Sequence, residues 1–338
     1  MSQAALAPEI RTRPAPACRL CGGPGLELYD GLVDRLFEAP GRWRTVRCGT
    51  PDCGLLWLDP APLEADIGVA YQHYYTHGER ARRPGWRRVI ARWIKQGRYA
   101  SRFGYSVPGA MPKRWLAAPL RWNANLGDAL DRLIFFLEPR PGGRVLDVGC
   151  GDGASLVELR ELGWDVEGVD FDPLAAKAAA SRGVTVRVGS LDEQRYPGES
   201  FDAVTLSHVI EHVPDPVRLL AECGRVLART GQVVVLTPNS GSLGHARFGR
   251  NWRGLEPPRH LQVFNASSLE RAATSAGLRV RTLRSLAAGA HFIHEQSRRI
   301  AGEPASGTDA RQFEREERAA VRARPWVGEE LLLVAERA

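Results

Sequence analysis

The run Arg144-Val145-Leu146-Asp147-Val148-Gly149-Cys150-Gly151-Asp152-Gly153 decides the fold. A β-branched apolar stretch ends in glycines at alternate positions, and Ala154, Leu156, Val157 and Leu159 continue at helical spacing. Glycines at such a junction mark a strand turning into a helix, where a ligand can touch backbone. Two nucleotide chemistries compete for it. A dinucleotide site also wants Gly-x-Gly after a first strand and an acidic residue about 20 positions on, which Asp170 supplies.

The charges separate the two. Asp147 and Asp152 would set carboxylates beside a pyrophosphate, which is unfavourable, whereas a sulfonium and an ammonium are welcome there. Ala154 also follows Gly153 where the dinucleotide fingerprint has its third glycine. The run Leu146 to Gly153 resembles the first motif of the class I S-adenosylmethionine-dependent methyltransferases. The resemblance implies a Rossmann-like α/β fold with a doubly wound, mostly parallel seven-stranded sheet. It also implies that Asp147, Gly149, Cys150, Gly151 and Gly153 bind S-adenosylmethionine.

Alternating elements support that architecture. Strand patterns at 144–149, 165–170, 184–188, 201–206, 231–237 and 279–285 alternate with helix patterns at 154–163, 173–182, 215–228 and 267–276. This order predicts a parallel sheet with ligands at the carboxyl ends of its strands. A helix over 123–137 leads in, broken by Pro139 to Gly143. A final strand, Glu330 to Glu336, follows a polar insertion at about 296–326, within which Gly302 to Ala310 reads as mobile and the resemblance implies an antiparallel entry.

Site residues follow from the strand ends. Asp170 closes the second strand, where a carboxylate can accept both ribose hydroxyls, the role the resemblance implies, and Phe171 can cover the adenine. After the third strand Ser190 and Leu191 stand where the family usually has an acid near the adenine amine. After the fourth, Ser207-His208-Val209-Ile210-Glu211-His212 resembles the loop that lies along the methionine half of the cofactor. Ser207 is a cofactor contact there, and His208 is a candidate base for a hydroxyl proton. His212 is a weaker candidate, with capping and packing as its alternative role. The Gly249 to Leu261 loop, rich in Gly, Pro, Arg and Trp, is expected to wall the acceptor pocket. Similar Trp-Arg-Gly and Pro-Arg-His runs occur in the resembled subgroup. Trp252 and Arg259 would shape or bind the acceptor, and His260 is a second candidate base, or else a loop anchor.

The amino-terminal third is of another kind. Residues 1–17 read as a disordered leader, and residues 18–60 carry Cys18-x-x-Cys21 and Cys48-x₄-Cys53 around short apolar runs. Paired cysteines at these spacings have the layout of a zinc ribbon, with four thiolates closing a structural Zn²⁺ site. Unligated buried thiols are the alternative. Residues 61–122 form a basic, Trp-rich linker or lid, and 123–338 the cofactor-binding domain. The cysteine module, a Pro-containing link and the cluster of Tyr74 and Tyr75 resemble the amino-terminal region of methyltransferases of bacterial glycan and natural-product pathways. Tyr74 and Tyr75 either reach over the substrate or pack the module in place.

The chain's net charge of +7 is concentrated. Residues 80–122 hold twelve Lys or Arg and no Asp or Glu, leaving 34 basic against 39 acidic residues elsewhere. Within this segment Trp86, Val89, Ile90, Trp93 and Ile94 fall on one helical face and Arg87, Arg88, Arg92, Lys95 and Arg98 on the others. Trp115 and Trp122 extend the pattern between prolines. Such a helix suits a membrane interface, an RNA backbone, or a lid whose tryptophans face the protein.

No apolar run approaches a membrane span and the first residues lack a secretory core, so a cytoplasmic enzyme is expected, with peripheral contact at the inner membrane surface as a further possibility. The implied reaction is O-methylation of a small-molecule, glycan or lipid-linked acceptor. The alternatives are an RNA methyltransferase, which would want an Asn/Asp-Pro-Pro-Tyr/Phe-like motif where Ser207-His208-Val209-Ile210 stands, and a non-catalytic cofactor-binding scaffold.

Overall fold

A computed structural model of the chain describes residues 9–72, 85–121, 124–287, 289–304 and 306–338. Tyr74, Tyr75 and Trp122 lie outside them. The chain divides into two compact units, one of Met1–Tyr75, His208–Ala221 and Leu236–Leu333, the other of Thr76–Ser207, Glu222–Val235 and Val334–Ala338.

In chain order the first strands are β1 (Thr12–Arg13), β2 (Gly25–Leu32), β3 (Trp43–Cys48), β4 (Leu56–Leu58) and β5 (Ala61–Pro62). The helices α1 (Gly85–Arg102), α2 (Ala110–Ala117) and α3 (Ala124–Asp131) follow. The α/β part then runs β6 (Arg144–Val148), α4 (Ala154–Glu161), β7 (Asp165–Asp170), α5 (Pro173–Ala180), β8 (Thr185–Val188), β9 (Phe201–Ser207), α6 (Pro216–Val226) and β10 (Leu227–Pro238). After it come α7 (Leu243–Phe248), β11 (Gln262–Val263), α8 (Ala266–Ser275), β12 (Leu278–Leu286), α9 (Ala290–Ala301), α10 (Gly307–Ala323) and β13 (Glu330–Arg337).

Seven strands form one mostly parallel sheet of order β12-β13-β10-β9-β6-β7-β8. β6 runs parallel to β7 and to β9, and β7 parallel to β8. Strands buried on both faces read as continuous apolar runs, and Val145, Leu146, Ala203 and Val204 are all fully buried. The order reverses at β6, so the glycine turn after it lies at the topological switch point where open α/β sheets bind ligands.

The unit containing β6 also holds the basic segment, and its polarity is the reverse of a lid with inward tryptophans. Lys95 pairs with Glu158, Arg92 with Glu161 at 3.2 Å, and Arg98 makes two hydrogen bonds of 2.9 and 2.6 Å to the buried Asp131. The apolar stripe instead faces outward: Trp86 is 62% exposed, Trp93 42% and, on α2, Trp115 76%. Val89, Ile90, Met111 and Leu116 are exposed beside them. α1 packs closely on α2 at Gly97, where a Cβ would stand 1.9 Å from the Lys113 carbonyl oxygen.

In the other unit, antiparallel β2, β3 and β4 join β11 in a four-stranded sheet of order β11-β4-β3-β2. The cysteine segment thus shares its sheet with Gln262 and Val263, far along the chain. The region expected as a polar insertion with a mobile stretch folds into α9 and α10. Gly307 to Ala310 is the first turn of α10, capped by Ser306, with Ala310 and Phe313 fully buried. The expected lead-in helix is shorter than 123–137: α3 stops at Asp131, and Phe135 and Phe136 take φ of 52° and 57°.

Gly97→Ala is expected to destabilise the unit holding α1 and α2 by about 1–3 kcal/mol, the cost of overpacking, because a backbone carbonyl cannot rotate away as a side chain can. Urea unfolding checks this; an unchanged midpoint would contradict the α1–α2 contact.

Candidate active site

The glycine turn is built from backbone that side-chain-bearing residues rarely adopt. Gly149, Gly151 and Gly153 have φ of 68°, 53° and 70°, in the left-handed region open to glycine. The Gly149 N–H donates to the Val169 carbonyl (2.7 Å), and the Gly151 N–H donates to Asp170 Oδ2 (2.8 Å). Asp170 Oδ1 accepts from the Asp172 N–H at 2.9 Å. Each carboxylate oxygen keeps lone-pair capacity beyond its one backbone bond, the arrangement a ribose diol needs. Phe171, 70% exposed, stands next to it. Asp152, just before α4, accepts from the Ala154 N–H (3.1 Å) and pairs with Arg182 (2.7 Å). Cys150 fills the space that Gly168 leaves open; a Cβ there would lie 2.5 Å from its sulfur.

Asp147 is 3% exposed and accepts a 2.7 Å hydrogen bond from Thr205 Oγ1 on the adjacent strand. Burial pushes its carboxyl up to about 7; the Thr205 bond works against this and the charge of Asp170 adds to it. Ser190 and Glu193 hold each other, N–H to carboxylate at 2.7 Å and N–H to hydroxyl at 3.3 Å, so Ser190 closes a turn after β8. Leu191 is buried, and Ser207 ends β9 half-buried. Within this unit the structure gathers Asp147, the glycines and Asp170 around one turn.

The three histidines of the sequence reading lie in the other unit, around Glu211. His208 has φ of 55°, an unusual conformation for a non-glycine residue. Its Nδ1 is 3.2 Å from Glu211 Oε1 and its Nε2 2.7 Å from Glu330 Oε1. Burial lowers its pKa, but the bonds to Glu211 and Glu330 outweigh this and raise it to about 9. With a carboxylate facing each ring nitrogen, the charged form of His208 is favoured over the neutral form a base requires. Glu211 is fully buried, takes a second bond from Thr237 Oγ1 at 2.9 Å, and is held at about 2 because the histidines around it outweigh its burial.

His260 is 4% exposed, and burial lowers its pKa to about 4. Its Nδ1 lies 2.7 Å from the Gly254 carbonyl. His212 Nδ1 lies 3.0 Å from the Arg259 carbonyl and 2.9 Å from the Tyr71 hydroxyl. The two rings meet edge to face, centroids 4.7 Å apart. Ligand atoms of Glu211, His212 and His260 all lie within 4.8 Å of one another.

Two expected acceptor-binding residues are core residues instead. Trp252 is 1% exposed, stacks on His245 and donates from Nε1 to Glu329 Oε2 at 2.7 Å. Arg259 is fully buried, bonded to Glu256 (2.8 Å), Asp34 (2.8 Å) and the Ala70 carbonyl (2.9 Å). A side chain with no accessible surface cannot touch an acceptor. Both tie the 249–261 loop to the cysteine-bearing sheet, whose core includes Trp43, Leu56, Leu58, Trp252 and Leu255.

Cys18, Cys21, Cys48 and Cys53 come together with their sulfurs within 4.8 Å; Cys18–Cys53 is 3.7 Å and Cys21–Cys48 is 3.3 Å. A tetrahedral Zn–S₄ centre with bonds of 2.3 Å has sulfurs ~3.8 Å apart, and all four thiols are free of disulfides. The donor set fits zinc.

Residues 121–283 match a family model described as a methyltransferase domain. A ubiquinone biosynthesis O-methyltransferase from Thiobacillus denitrificans is 31% identical over 159 residues, 43% of this chain and 68% of that protein. The chain belongs to the S-adenosylmethionine-dependent methyltransferase family. A relative with the same description from Xanthomonas campestris pv. campestris is 39% identical over 107 residues, 29% of the methyltransferase chain. That match spans only 44% of the relative's own length. Among solved structures, an S-adenosylmethionine-dependent methyltransferase from Mesorhizobium loti aligns with a TM-score of 0.44 at 20% identity, over 62% of this chain and 97% of its own.

Glu330 and Thr237, which hold His208 and Glu211, carried no sequence signal, since residues 122 and 26 positions from their partners have no spacing rule. Glu256 carried one: Arg253, Glu256 and Arg259 recur at three-residue intervals, the mark of a charge cluster rather than an open pocket wall.

With no cofactor bound, Asp147 holds its proton to a higher pH folded, about 7, than the ~3.9 of an unfolded aspartate. Its contribution to stability is therefore complete below ~4 and is lost as pH rises toward 7. Asp147→Asn should flatten the pH dependence of the melting temperature between pH 5 and 8 and raise it at pH 8. Equal slopes for the two proteins would refute the assignment.

Proposed function

We propose that this methyltransferase moves the methyl group of S-adenosylmethionine to a hydroxyl oxygen of a lipid-linked or strongly apolar acceptor. The donor half is supported by one observation above others: Asp170 fixed by the Gly151 N–H at the end of β7, beside a turn whose carboxylates favour a cationic ligand over a pyrophosphate. When bound, the sulfonium supplies an already activated methyl; its S–C bond breaks as the C–O bond forms, leaving S-adenosylhomocysteine and a methyl ether. The protein's own task is then alignment and removal of the hydroxyl proton. The description of the relatives as O-methyltransferases supports oxygen as the attacking atom.

The acceptor class is supported by α1 and α2. Their cations at 92, 95 and 98 are spent on internal ion pairs, while Trp86, Trp93 and Trp115 stand exposed. An RNA groove needs free cations along a backbone, whereas indoles and aliphatic side chains with few free charges suit the headgroup region of a bilayer. Among the described residues no helix is long and apolar enough to cross a membrane, so contact would be peripheral. In the same reading the four cysteines hold a structural Zn²⁺ that ties together a sheet with a small core of its own.

Titration calorimetry with S-adenosylhomocysteine should detect binding, weakened tenfold or more by Asp170→Ala; no binding to the intact chain would refute the donor assignment. Incubation with methyl-labelled cofactor should place the label in the organic phase of a lipid extract and leave a polar extract unlabelled; label confined to the polar extract would exclude a lipid-linked acceptor. For the cysteines, elemental analysis should find zinc, lost in Cys48→Ser together with a lower melting temperature. A zinc-free, fully folded protein would remove that site.

A further inference from the structure

We infer that Glu317 and Glu329 form a carboxyl pair holding a single proton, and that this proton latches α10 onto the start of β13. Both residues lie in the unit that carries the cysteines.

Burial and the donors present carry the argument. Glu317, on the buried face of α10, has no accessible surface, and Glu329 is 3% exposed. The two are joined directly, the Glu329 N–H donating to Glu317 Oε1 at 2.6 Å. Two carboxylates so placed cannot both ionise unless a cation stands with them. Among the described residues neither pairs with one. From α10 itself Glu314 faces the pair and is bonded to Arg318 at 3.3 Å. From α7, Arg247 is engaged by Glu316, and His245 turns its nitrogens to the Ser240 carbonyl and the Tyr29 hydroxyl. From α9, His294 packs on the Phe313 ring, and from β13, Glu330 meets His208.

The donors say which carboxyl keeps the proton. Glu329 Oε2 accepts from Trp252 Nε1 at 2.7 Å and from Ser242 Oγ at 3.2 Å, bonds that favour its charged form. Glu317 has the one backbone donor on Oε1, and its Oε2 is buried without a hydrogen-bond partner. An ionised carboxylate only accepts, whereas a protonated one gains an O–H to donate, so a proton on Glu317 turns a bare acceptor into a donor beside an anion. The titration directions agree: burial first and the Glu329 charge second raise Glu317, and burial raises Glu329 against the bonds from Trp252 and Ser242.

Glu329 is fixed by its own backbone, its carbonyl accepting from the Asn239 N–H at 2.9 Å, so α10 is the piece that yields. When the proton leaves for solvent, two buried anions remain in contact and repel at low effective dielectric. The sign follows: the folded pair binds its proton to higher pH than the ~4.3 of an unfolded glutamate, so the latch is complete below ~4 and is lost as pH rises. Glu330, the next residue, reaches His208 Nε2 at 2.7 Å, so the latch steadies the strand end from which that contact is made. None of this depends on which acceptor is methylated.

Two readings of the full chain test the pair. The infrared difference between wild type and Glu317→Gln at neutral pH should contain the carbonyl band of one protonated carboxyl, to which Asp147 contributes equally on both sides. Hydrogen exchange of the α10 amides, corrected for intrinsic rates, should lose about tenfold in protection for each pH unit above the pair's last ionisation, measured from about pH 7 to 9. Glu317→Gln, neutral at every pH and still a donor, should hold that protection flat, which a merely structural glutamate would not do. An infrared difference without an acid band, a flat exchange profile in the wild type, or a falling one kept by Glu317→Gln would overturn the latch. If that variant does not fold, the wild-type profile alone decides.

Discussion

Carboxylates buried near strand ends are the constraint on which much of this protein depends. Taking an ionised carboxylate out of water is costly unless hydrogen bonds or an opposite charge compensate. Burial pushes the Asp147 carboxyl up to about 7; among the described residues its partner is the Thr205 hydroxyl at 2.7 Å, which works against the shift, and the charge of Asp170 adds to it. A cationic ligand at the adjacent turn relieves that penalty, and an anionic one adds to it. The preference for a sulfonium-bearing cofactor over a pyrophosphate is thus built into the strand pairing, before any direct contact is counted.

The same constraint is met differently in the unit that carries the cysteines. Glu256 is held far below the usual carboxylate range because the charges of Arg253, His260 and Arg259 outweigh its burial. Arg259 in turn bonds Asp34 on the cysteine-bearing segment. Removing one member of such a network strands a buried charge, a loss of about 3–5 kcal/mol, whereas the intact network fixes geometry more than it adds stability. What it fixes is the loop whose carbonyls at Gly254 and Arg259 face the Nδ1 atoms of His260 and His212. The packing of Trp252 and the pairing of Arg259 therefore act on the imidazoles from behind.

Much of this was legible in the sequence where a local rule existed. Alternating strands and helices, the glycine turn, Asp170 at a strand end and the paired cysteines each follow from period, backbone freedom or ligand spacing, and all lie where those rules put them. The failures share a cause. Amphipathic spacing in α1 separates two faces but does not say which one meets the protein, and here acids at Asp131, Glu158 and Glu161 captured the cationic face. Loop composition singled out 249–261 as important without distinguishing a pocket wall from a buried strut. His208 looked like a base because its type and place were right, while its protonation is set by Glu211 three residues away and Glu330 far along the chain.

The contrast between the four cysteines and the buried carboxylate Glu211 follows from donor chemistry. Four thiolates saturate a tetrahedral ion and leave it nothing to bind, so the cysteine site can only hold chain segments together. The buried Glu211 is held by hydrogen bonds instead, with the Thr237 hydroxyl on Oε2 and His208 Nδ1 facing Oε1. Glu211 carries the distinction. Replaced by an apolar residue, it would leave the buried Thr237 hydroxyl and one nitrogen of His208 without the carboxylate that now holds them, the costly way to lose a hydrogen bond.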